Sequence, residues 1–356
     1  MENQEEEKLN LQDLNLNPHR ELDLGQNIYW TDEVKIKISG EDKYVNEFKV
    51  LKSIGKGAYS KVKMVIRQFE ENGVQFEEYY AMKMMHKPTL RKERAIRYDQ
   101  KGQMEMINNL DKVYNEVEVW SKIINENVIK IYELIDSDEH DYLYVILELA
   151  DLGQLATWDF KQELYIRNQA IYDHVIAYLR EQNALNTVQR EIEQVAKFIF
   201  RQLAHAIFHL HEECQVIHRD IKLDNLLFSS KDLRLKLTDF TVARSDITDE
   251  TRLFDSEGTP SFTAPECHIV EKDGYRPKPT DIWSFGVSIY AYIHQIVPFY
   301  ASGGELEMQI NSRTKEPEIP DNFSPELSDL IVKLLEKDPA RRLTIEEVMN
   351  HPFFNS

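Results

Sequence analysis

Two short segments near the middle of the chain carry side chains that could transfer a phosphoryl group. Residues 216–228 read VIHRDIKLDNLLF, and residues 237–240 read LTDF. Phosphoryl transfer needs one carboxylate beside the attacking hydroxyl, together with an amide and a second carboxylate that hold magnesium on the phosphates. Asp220 fits the first role, while Asn225 and Asp239 fit the second. The alternative is that the His-Arg-Asp of residues 218–220 is a chance tripeptide at the end of a strand. Each fixed position of such a pattern is matched by chance only about one time in twenty, however.

These segments resemble the catalytic loop and the metal-binding loop of eukaryotic protein kinases. The resemblance covers about residues 46–355. It implies an α+β, two-lobed kinase fold, with a small antiparallel β lobe that has one main helix and a large, mostly helical lobe. It also implies ATP and Mg²⁺ as cofactors. The catalytic residues that it implies are Asp220, Lys222, Lys83 and Glu116.

A glycine-rich segment precedes these loops and lies between two apolar, β-like runs. Residues 54–62 read IGKGAYSKV and resemble the kinase glycine-rich loop, in which glycines let the backbone approach the phosphates closely. Ser60 stands at the third glycine of that pattern and is still small. The residues of this segment that the resemblance places on ATP are Ile54, Gly55, Lys56, Gly57, Ala58 and Val62.

Lys83 lies inside an apolar strand at residues 79–85. Burying a charge is costly unless it has a partner, and the kinase pattern supplies two, the ATP phosphates and a glutamate on the following helix. Glu116 and Glu118 are both candidates for that glutamate. Glu116 shares the apolar face of the predicted helix, whereas Glu118 points away from it, so Glu116 is predicted.

Residues 142–150 read YLYVILELA and resemble the strand that leads into the hinge between the kinase lobes, although an ordinary core strand has the same pattern. The resemblance implies that backbone groups of Glu148 and Ala150 contact adenine and that Leu147 is the gatekeeper. It implies these apolar walls for the adenine: Val62, Ala81 and Leu227. Two candidates stay open for the ribose, Asp151 and Gln154.

Residues 257–266 read EGTPSFTAPE and resemble the segment that closes a kinase activation loop. In that family its threonine, here Thr259, bonds the catalytic aspartate and lysine. Ser256 aligns with the family's phosphorylated position, and Arg219 could pair with a phosphate there. The acidic residues on either side of Ser256 supply part of that charge already.

Three further features belong to the same resemblance. Lys222 and the Gly-Thr-Pro of residues 258–260 match the serine/threonine pattern rather than the tyrosine pattern. The family pairs Glu266 with Arg342 in a structural ion pair. A long apolar stretch at residues 280–297 predicts the buried central helix of the large lobe.

The composition is that of an acidic globular chain. It has 356 residues, of which 42% are hydrophobic, and a formal net charge of −19. This length allows a large two-lobed core, and no apolar run approaches a membrane span. The charge argues against nucleic acid or an anionic membrane as the main partner. Neither a signal peptide nor a cysteine framework is recognisable, so we expect a cytoplasmic enzyme with protein substrates, with the nucleus left open.

Three regions organise the chain. Residues 1–46 are predicted as a polar N-terminal extension that is partly disordered, residues 47–150 as the small ATP-binding lobe, and residues 151–356 as the large catalytic lobe. A basic insert at about residues 86–110 is either a docking surface or a solvated loop. A helical insert is predicted at about residues 158–189. Its apolar residues at helical spacing are Leu164, Ile171, Val175 and Tyr178.

The place of the basic insert is similar to that in the calcium/calmodulin-dependent protein kinase kinases, which carry a basic, proline-rich insert there. The insert here has a single proline, Pro88. The resemblance implies a signalling kinase whose protein substrates include other kinases. That family places its calmodulin-binding segment after the kinase domain, and since the chain stops at Ser356, calmodulin binding is not expected within it.

The metal-binding loop departs from the kinase pattern at Thr241, where the family has glycine. A β-branched threonine resists backbone states that glycine permits, so we expect a narrower range of loop conformations with the magnesium ligand intact. This departure motivates the alternative of a nucleotide-binding pseudokinase or scaffold. A small-molecule phosphotransferase of related fold is a second alternative, although it would lack the Ala-Pro-Glu of residues 264–266 and Arg342.

Overall fold

The N-terminal lobe is built mainly from strands. The computed structural model describes residues 28–98, 103–185, 190–268 and 272–355. The strands of this lobe are β1 (Tyr29–Thr31), β2 (Ile36–Ser39), β3 (Asp42–Val45), β4 (Phe48–Lys56), β5 (Ser60–Glu71), β6 (Val74–His86), β7 (Arg94–Tyr98), β8 (Met104–Asn108), β9 (Ile131–Ile135) and β10 (Tyr142–Glu148). Its helices are α1 (Lys87–Lys92) and α2 (Asn109–Ser121).

Eight of these strands form one sheet, in the order β1-β9-β10-β6-β5-β4-β3-β2. The long β5–β6 hairpin turns at Asn72 and Gly73, whose φ angles are +53° and +77°. Two successive positive φ angles characterise the type I′ turn, whose twist matches that of the flanking strands. The hairpin sets Lys83 opposite Val62, and β10 sets Val145 on its other side. Lys83 therefore lies in the middle of the sheet.

The sheet extends beyond the N-terminal boundary predicted at residue 46. β3 pairs with β4 across Val45 and Phe48, so that boundary falls inside a hairpin, while β1 pairs in parallel with β9. Periodicity missed these strands because β1, β2 and β3 have only three or four residues each, which is too short a run to stand out from chance. Residues 1–27, to which the prediction of a partly disordered extension also applies, lie outside the described residues.

The basic insert forms a short helix and a hairpin. β7 and β8 pair antiparallel after α1, so the described part of the insert has regular secondary structure, with most of its side chains exposed. Lys87 is not part of a basic surface, because it is buried and its ammonium lies 2.8 Å from Oδ1 of Asp136. Lys101 lies outside the described residues. A docking role stays a prediction.

α2 presents one face to the sheet. Asn108 caps its first turn by accepting a hydrogen bond from the amide of Asp111 at 3.0 Å, which satisfies a donor that the helix leaves unpaired. Its buried residues recur every three or four positions: Leu110, Val113, Glu116, Val117 and Trp120. Glu116 thus lies on the buried face, as the helical geometry predicted, whereas Glu118 is only partly buried.

The large lobe is mostly helical within the described residues. Its strands are β11 (Gly153–Gln154), β12 (Ala156–Asp159), β13 (Leu164–Arg167), β14 (Leu226–Ser229) and β15 (Arg234–Leu237). Its helices are α3 (Gln169–Glu181), α4 (Glu191–Phe208), α5 (Pro265–His268), α6 (Lys278–His294), α7 (Glu305–Thr314), α8 (Pro325–Leu334), α9 (Ile345–Met349) and α10 (Pro352–Asn355). No described helix has the length and apolar character needed to cross a bilayer.

The predicted helical insert is partly wrong. β12 and β13 form a hairpin with Trp158 opposite Tyr165, so Leu164 belongs to a strand and its helical spacing is coincidental. The missed signal is Asp159, whose carboxylate accepts the amides of Lys161 and Gln162 and so makes the turn that such aspartates favour. The helix itself begins later, at α3, and buries Ile171 and Val175 as predicted.

The main hydrophobic core extends through both lobes, and a second, smaller cluster lies on the small-lobe sheet around Val65 and Met82. α6 is buried continuously from Thr280 to Ile293, which confirms the predicted central helix. In the small lobe the core reaches the buried face of α2. Phe240, which follows the predicted metal ligand Asp239, stacks on Trp120 of α2 with ring centroids 5.3 Å apart. The position of the metal-binding loop is therefore tied to the position of α2.

Candidate active site

The central ion pair of the cleft joins β6 to α2. Nζ of Lys83 lies 2.6 Å from Oε1 of Glu116, and the side chains are 16% and 3% exposed. Burial lowers the pKa of Lys83, but the nearby carboxylates of Glu116 and Asp239 outweigh it, so the pKa is raised. The ammonium therefore stays charged at neutral pH and faces the space between the lobes, where it can bind an anion.

The glycine-rich turn joins β4 to β5 and closes the cleft from above. The amide of Gly57 donates to the carbonyl of Ser60 at 2.9 Å. A Cβ on Gly57 would lie 2.8 Å from Oγ of Ser60, which is closer than a real Cβ contact. Glycine at this position therefore permits a tight backbone cradle, whose amides can donate to an anionic ligand.

The catalytic loop holds Asp220 through several contacts. Thr259 donates its hydroxyl to Oδ1 of Asp220 at 2.7 Å, and Nζ of Lys222 lies 2.7 Å from Oδ2 and 2.6 Å from the Thr259 hydroxyl. Asn225 donates its amide to the Asp220 carbonyl at 2.8 Å. The predicted contacts of Thr259 with the aspartate and the lysine are thus present, and they fix the carboxylate that could orient a hydroxyl group.

The role of Asp281, the residue that anchors the catalytic loop to α6, was not predicted from the sequence. Asp281 of α6 is fully buried, and its carboxylate accepts the amides of His218 and Arg219 at 2.9 and 2.8 Å. Nε2 of His211 lies 2.8 Å from the same carboxylate. Burial raises the pKa of Asp281, but the contacts with His211 and His218 outweigh it, so the pKa is lowered. An acidic residue inside a long apolar run was the available signal, since a buried charge needs partners.

Asp239 projects into the cleft from the loop after β15. Its φ of +68° lies in a region that non-glycine residues seldom adopt and that often marks functional sites. Burial raises its pKa, but Lys83, the Thr241 hydroxyl and His218 outweigh burial, so the pKa is lowered and the carboxylate is ionised. No described group of three or more His, Cys, Asp or Glu residues could hold a metal alone. The amide and single carboxylate of Asn225 and Asp239 instead suit Mg²⁺, which usually binds one or two protein groups together with substrate phosphates.

The hinge side of the cleft is apolar, with polar groups at its edge. The Glu148 carboxylate pairs with the buried ammonium of Lys236, 2.6 Å away, so this side chain is already engaged and the backbone of the hinge is what can contact a ligand. Both carboxylate oxygens of Asp151 accept from Ser230, from the amide at 2.7 Å and from the hydroxyl at 2.5 Å. Gln154 is held through its Nε2 alone, which donates to the Asp224 carbonyl.

The cleft between the lobes measures about 1030 Å³. All the predicted catalytic, nucleotide and metal residues line it: Ile54, Gly55, Lys56, Gly57, Ala58, Val62, Ala81, Lys83, Glu116, Glu148, Ala150, Asp220, Lys222, Asn225, Leu227 and Asp239. Thr259 lines it as well, but Ser256 does not. Its volume and its mixture of apolar walls with convergent polar groups are typical of a cofactor site.

The activation segment is held to the large lobe at two places. Asp255 accepts from the guanidinium groups of Arg219 and Arg244. Farther along, Glu266 and Arg342 form the predicted ion pair in a two-bond arrangement, with N–O distances of 2.7 and 3.0 Å. Such an arrangement is the strongest geometry for this pair of side chains, and it fixes the segment to the large lobe.

A family model described as protein kinase domain matches residues 48–354. The chain belongs to the protein kinase family. The predictions of a two-lobed kinase fold and of a protein kinase enzyme are therefore confirmed at the level of the family.

Three relatives carry kinase names. The serine/threonine-protein kinase GRIK2 of Arabidopsis thaliana is 32% identical over 88% of this chain and 66% of its own length. A probable serine/threonine-protein kinase of Dictyostelium discoideum is 29% identical over 87% of this chain and 38% of its own length. The serine/threonine-protein kinase ppk34 of Schizosaccharomyces pombe is 29% identical over 93% of this chain and 91% of its own length. The chain thus spans less than two thirds of the first two relatives.

Proposed function

We propose that this protein kinase transfers the γ-phosphoryl group of MgATP to serine and threonine hydroxyls of protein substrates. The observation that carries the proposal is the network of Asp220, Lys222 and Thr259, placed in one cleft with Asn225, Asp239 and the Lys83–Glu116 ion pair. Phosphoryl transfer is catalysed by positioning and by charge stabilisation, and these side chains supply both.

Each residue has a task that follows from its chemistry. Asp220 accepts a hydrogen bond from the attacking hydroxyl and orients it, and Lys222 stabilises the negative charge that develops. Asn225 and Asp239 are the groups that hold magnesium, which supplies charge neutralisation on the phosphates. Lys83 binds the phosphates and is kept in place by Glu116.

The hinge and the glycine-rich turn hold the rest of the nucleotide. Glu148 and Ala150 contact the adenine through backbone groups, between the apolar walls of Val62, Ala81 and Leu227. Of the two ribose candidates we favour Gln154, because Asp151 already uses both carboxylate oxygens on Ser230. The glycine-rich turn from Ile54 to Ala58 covers the phosphates.

The preference for serine and threonine rests on the contact of Lys222 with Thr259, 2.6 Å apart, which is the serine/threonine pattern. The names of the relatives agree with it. A small-molecule phosphotransferase has no use for an activation segment anchored by Glu266 and Arg342, which is why protein substrates are favoured.

We also propose that the chain belongs to the type of the calcium/calmodulin-dependent protein kinase kinases and acts on other kinases. The support is the insert between Lys83 and Glu116, which has the position of the insert in those kinases. A panel of catalytically inactive kinases tests this, with phosphorylation expected in their activation loops. Phosphorylation confined to unrelated proteins would contradict the upstream role and leave the general activity intact.

The general activity is tested with radiolabelled ATP and a degenerate peptide library. The expected result is magnesium-dependent label on serine and threonine peptides and none on tyrosine peptides. Asp220→Asn is the matched control, because it removes the carboxylate without changing the size of the side chain. A wild type that binds ATP but labels no peptide or protein would favour the pseudokinase instead.

A further inference from the structure

The three consecutive residues 255–257 combine one exposed hydroxyl with two paired carboxylates. Ser256 is exposed to solvent, whereas Asp255 is only 8% exposed. Asp255 and Glu257 lie in charge contacts with different lobes. A phosphate on a kinase activation loop orders the loop by pairing with arginines, so the partners of these two carboxylates decide what a phosphate on Ser256 could still add.

Asp255 occupies the arginine pair that such a phosphate would need. Nη2 of Arg219 lies 2.5 Å from Oδ1 of Asp255, and Nη2 of Arg244 lies 2.9 Å from Oδ2. Arg219 is 3% exposed and comes from the catalytic loop, while Arg244 follows the metal-binding loop. The hydroxyl of Tyr275 donates to the Asp255 carbonyl at 2.7 Å, so backbone and side chain are both held.

Glu257 reaches the other lobe. Its carboxylate lies 3.1 Å from Nζ of Lys112 on α2, the helix that carries Glu116. This pair is about a quarter exposed, so solvent screens it more than the buried pairs of Asp255. The activation segment is therefore linked to both lobes by carboxylates that flank Ser256.

The backbone connects Asp255 and Glu257 directly to the predicted catalytic groups. Arg219 immediately precedes Asp220, and Gly258 immediately precedes Thr259, which donates to Asp220. Gly258 has a φ of +103°, and a Cβ on it would lie 2.4 Å from the carbonyl oxygen of Arg219. The two segments thus touch at a point where only glycine fits, so a shift of Asp255 or Glu257 moves Thr259 as well.

We propose that the carboxylates of Asp255 and Glu257 hold the activation segment in its productive position, so that phosphoryl transfer does not require a phosphate on Ser256. The proposal rests on the proposed kinase function and concerns its regulation. Asp255 and Glu257 are positioning residues: they act through Arg219 and Gly258 on the groups that touch the substrate. Asp255 already engages both arginines and Arg219 is nearly inaccessible to solvent, so a phosphate on Ser256 would have to compete with this carboxylate for the same guanidinium groups.

The first test compares phosphorylation states of the full chain. The protein is produced together with a broad-specificity phosphatase, and mass spectrometry verifies that Ser256 is unmodified. We expect this form and the Ser256→Ala variant to keep the turnover of untreated protein within about twofold, since neither loses a contact that orders the segment. Loss of activity in the phosphatase-treated form, restored by phosphorylation of Ser256, would overturn the proposal while leaving the kinase function standing.

The second test removes one charge at a time from the unphosphorylated protein. Asp255→Asn keeps the shape of the side chain but leaves Arg219 without its counterion, so we expect kcat/KM for a protein substrate to fall about 10-fold or more, with the KM for ATP nearly unchanged. In Glu257→Gln the same kcat/KM should fall only about threefold, because the ion pair of Glu257 with Lys112 is partly exposed. Asp249→Asn is the matched control, since this side chain of the same segment is 86% exposed.

Hydrogen–deuterium exchange supplies a readout that does not depend on activity. Amides of residues 251–259 should exchange faster in Asp255→Asn than in wild type and in Asp249→Asn, and Asp255→Glu should restore part of the protection. If Asp255→Asn and wild type showed equal exchange and equal activity, the proposal that Asp255 holds the activation segment in position would be overturned. If wild type transfers no phosphoryl group in any state, the proposed function fails, and the exchange comparison still decides whether these carboxylates order the segment.

Discussion

The hydroxyl of Thr241 lies 2.5 Å from Oδ1 of Asp239, the residue two positions earlier in the predicted metal-binding loop. The same hydroxyl lies 3.1 Å from Oε2 of Glu116. A glycine at this position could make neither contact. Thr241 therefore adds a polar link between the candidate metal ligand and α2, and its side chain does more than restrict the backbone of the loop.

Replacements of Thr241 separate these two effects. Thr241→Ser keeps the hydroxyl and should keep turnover within about twofold, whereas Thr241→Val keeps the branched shape without the hydroxyl. A hydrogen bond to a charged group contributes about 1.5–3 kcal/mol, and the lower figure applies to this exposed contact, so we expect Thr241→Val to lower kcat by roughly 10-fold. Steady-state kinetics over a magnesium titration measure both.

Thr241→Gly removes the same hydroxyl as Thr241→Val, so it should lower turnover by the same roughly 10-fold and not abolish it, because Asp239 keeps its ionised carboxylate and Lys83 beside it. If threonine instead held Asp239 away from the phosphates, wild type would bind ATP without needing magnesium and would transfer nothing. Glycine would then raise activity by orders of magnitude. If wild type were inactive and Thr241→Gly were active, the active-enzyme interpretation would be contradicted and the pseudokinase alternative would be favoured.

Asp220→Asn separates chemistry from binding. The change removes the carboxylate that orients the hydroxyl, and general-base residues contribute typically about 10²–10⁴-fold, so kcat should fall by that range. ATP affinity should stay within about twofold of wild type, since Asp220 is assigned to the substrate hydroxyl rather than to the nucleotide. Isothermal titration with ATP, next to a transfer assay, measures the two effects.

Lys83→Met is the contrasting variant. It removes the cation assigned to the phosphates and leaves Glu116 buried without its partner, so both ATP affinity and turnover should fall. Near-full turnover in Asp220→Asn, or unchanged ATP affinity in Lys83→Met, would show that these two roles are assigned wrongly.

The ion pair of Glu266 and Arg342 should matter for stability rather than for chemistry. The Arg342 side chain has no exposure and the Glu266 side chain only 11%. Removing one member of a buried pair costs about 3–5 kcal/mol because the other charge stays unpaired. We expect Arg342→Met to lower the free energy of unfolding by that amount, measured by urea denaturation with intrinsic fluorescence.

The neighbouring arginine gives the control for this variant. Arg341 is 74% exposed and lies 3.6 Å from Glu336, so Arg341→Met should change the unfolding free energy by less than about 1 kcal/mol. Equal effects of the two replacements would mean that the buried pair contributes no more than a surface pair does.

The residues that carry phosphoryl-transfer chemistry could be predicted from the sequence because their spacing along the chain is itself the signal. Glu116 was chosen over Glu118 from helical geometry alone, and α2 places it on the buried face. Long-range partners were less accessible. The contact of Thr241 with Glu116 joins residues that are 125 positions apart, and no local pattern encodes it.

The errors have a common physical origin. Leu164 lies seven residues before Ile171, which fits a helix, but it pairs with Asp159 in a hairpin of four-residue strands. A run that short does not separate a strand from a helix. The strands β2 and β3 were missed because each has only four residues. A run that short does not let periodicity separate a strand from chance alternation.

Lys337 gives the structure a pH-dependent stability. Its ammonium lies 3.9 Å from the ring centroid of Phe299 and 5.0 Å from that of Trp283, and it has no hydrogen-bond partner among the described residues. Burial lowers the pKa of Lys337 from 10.5 to about 8, with Glu316 opposing the shift and Arg342 adding to it. Folding therefore disfavours the charged form of this lysine at neutral pH.

The sign of the pH dependence follows from this lowered pKa. Between about pH 8 and 10.5 the unfolded chain keeps the proton that folded Lys337 has lost, and stability rises with pH wherever the unfolded state binds more protons. We therefore expect Lys337→Met to be more stable than wild type at pH 7 and to lose this advantage by pH 9.5. Lys315→Met, which removes an exposed lysine, is the matched control for the loss of one positive charge. Urea denaturation of the three proteins across this pH range measures the effect, and an advantage of Lys337→Met that is constant or grows with pH would contradict a lowered pKa.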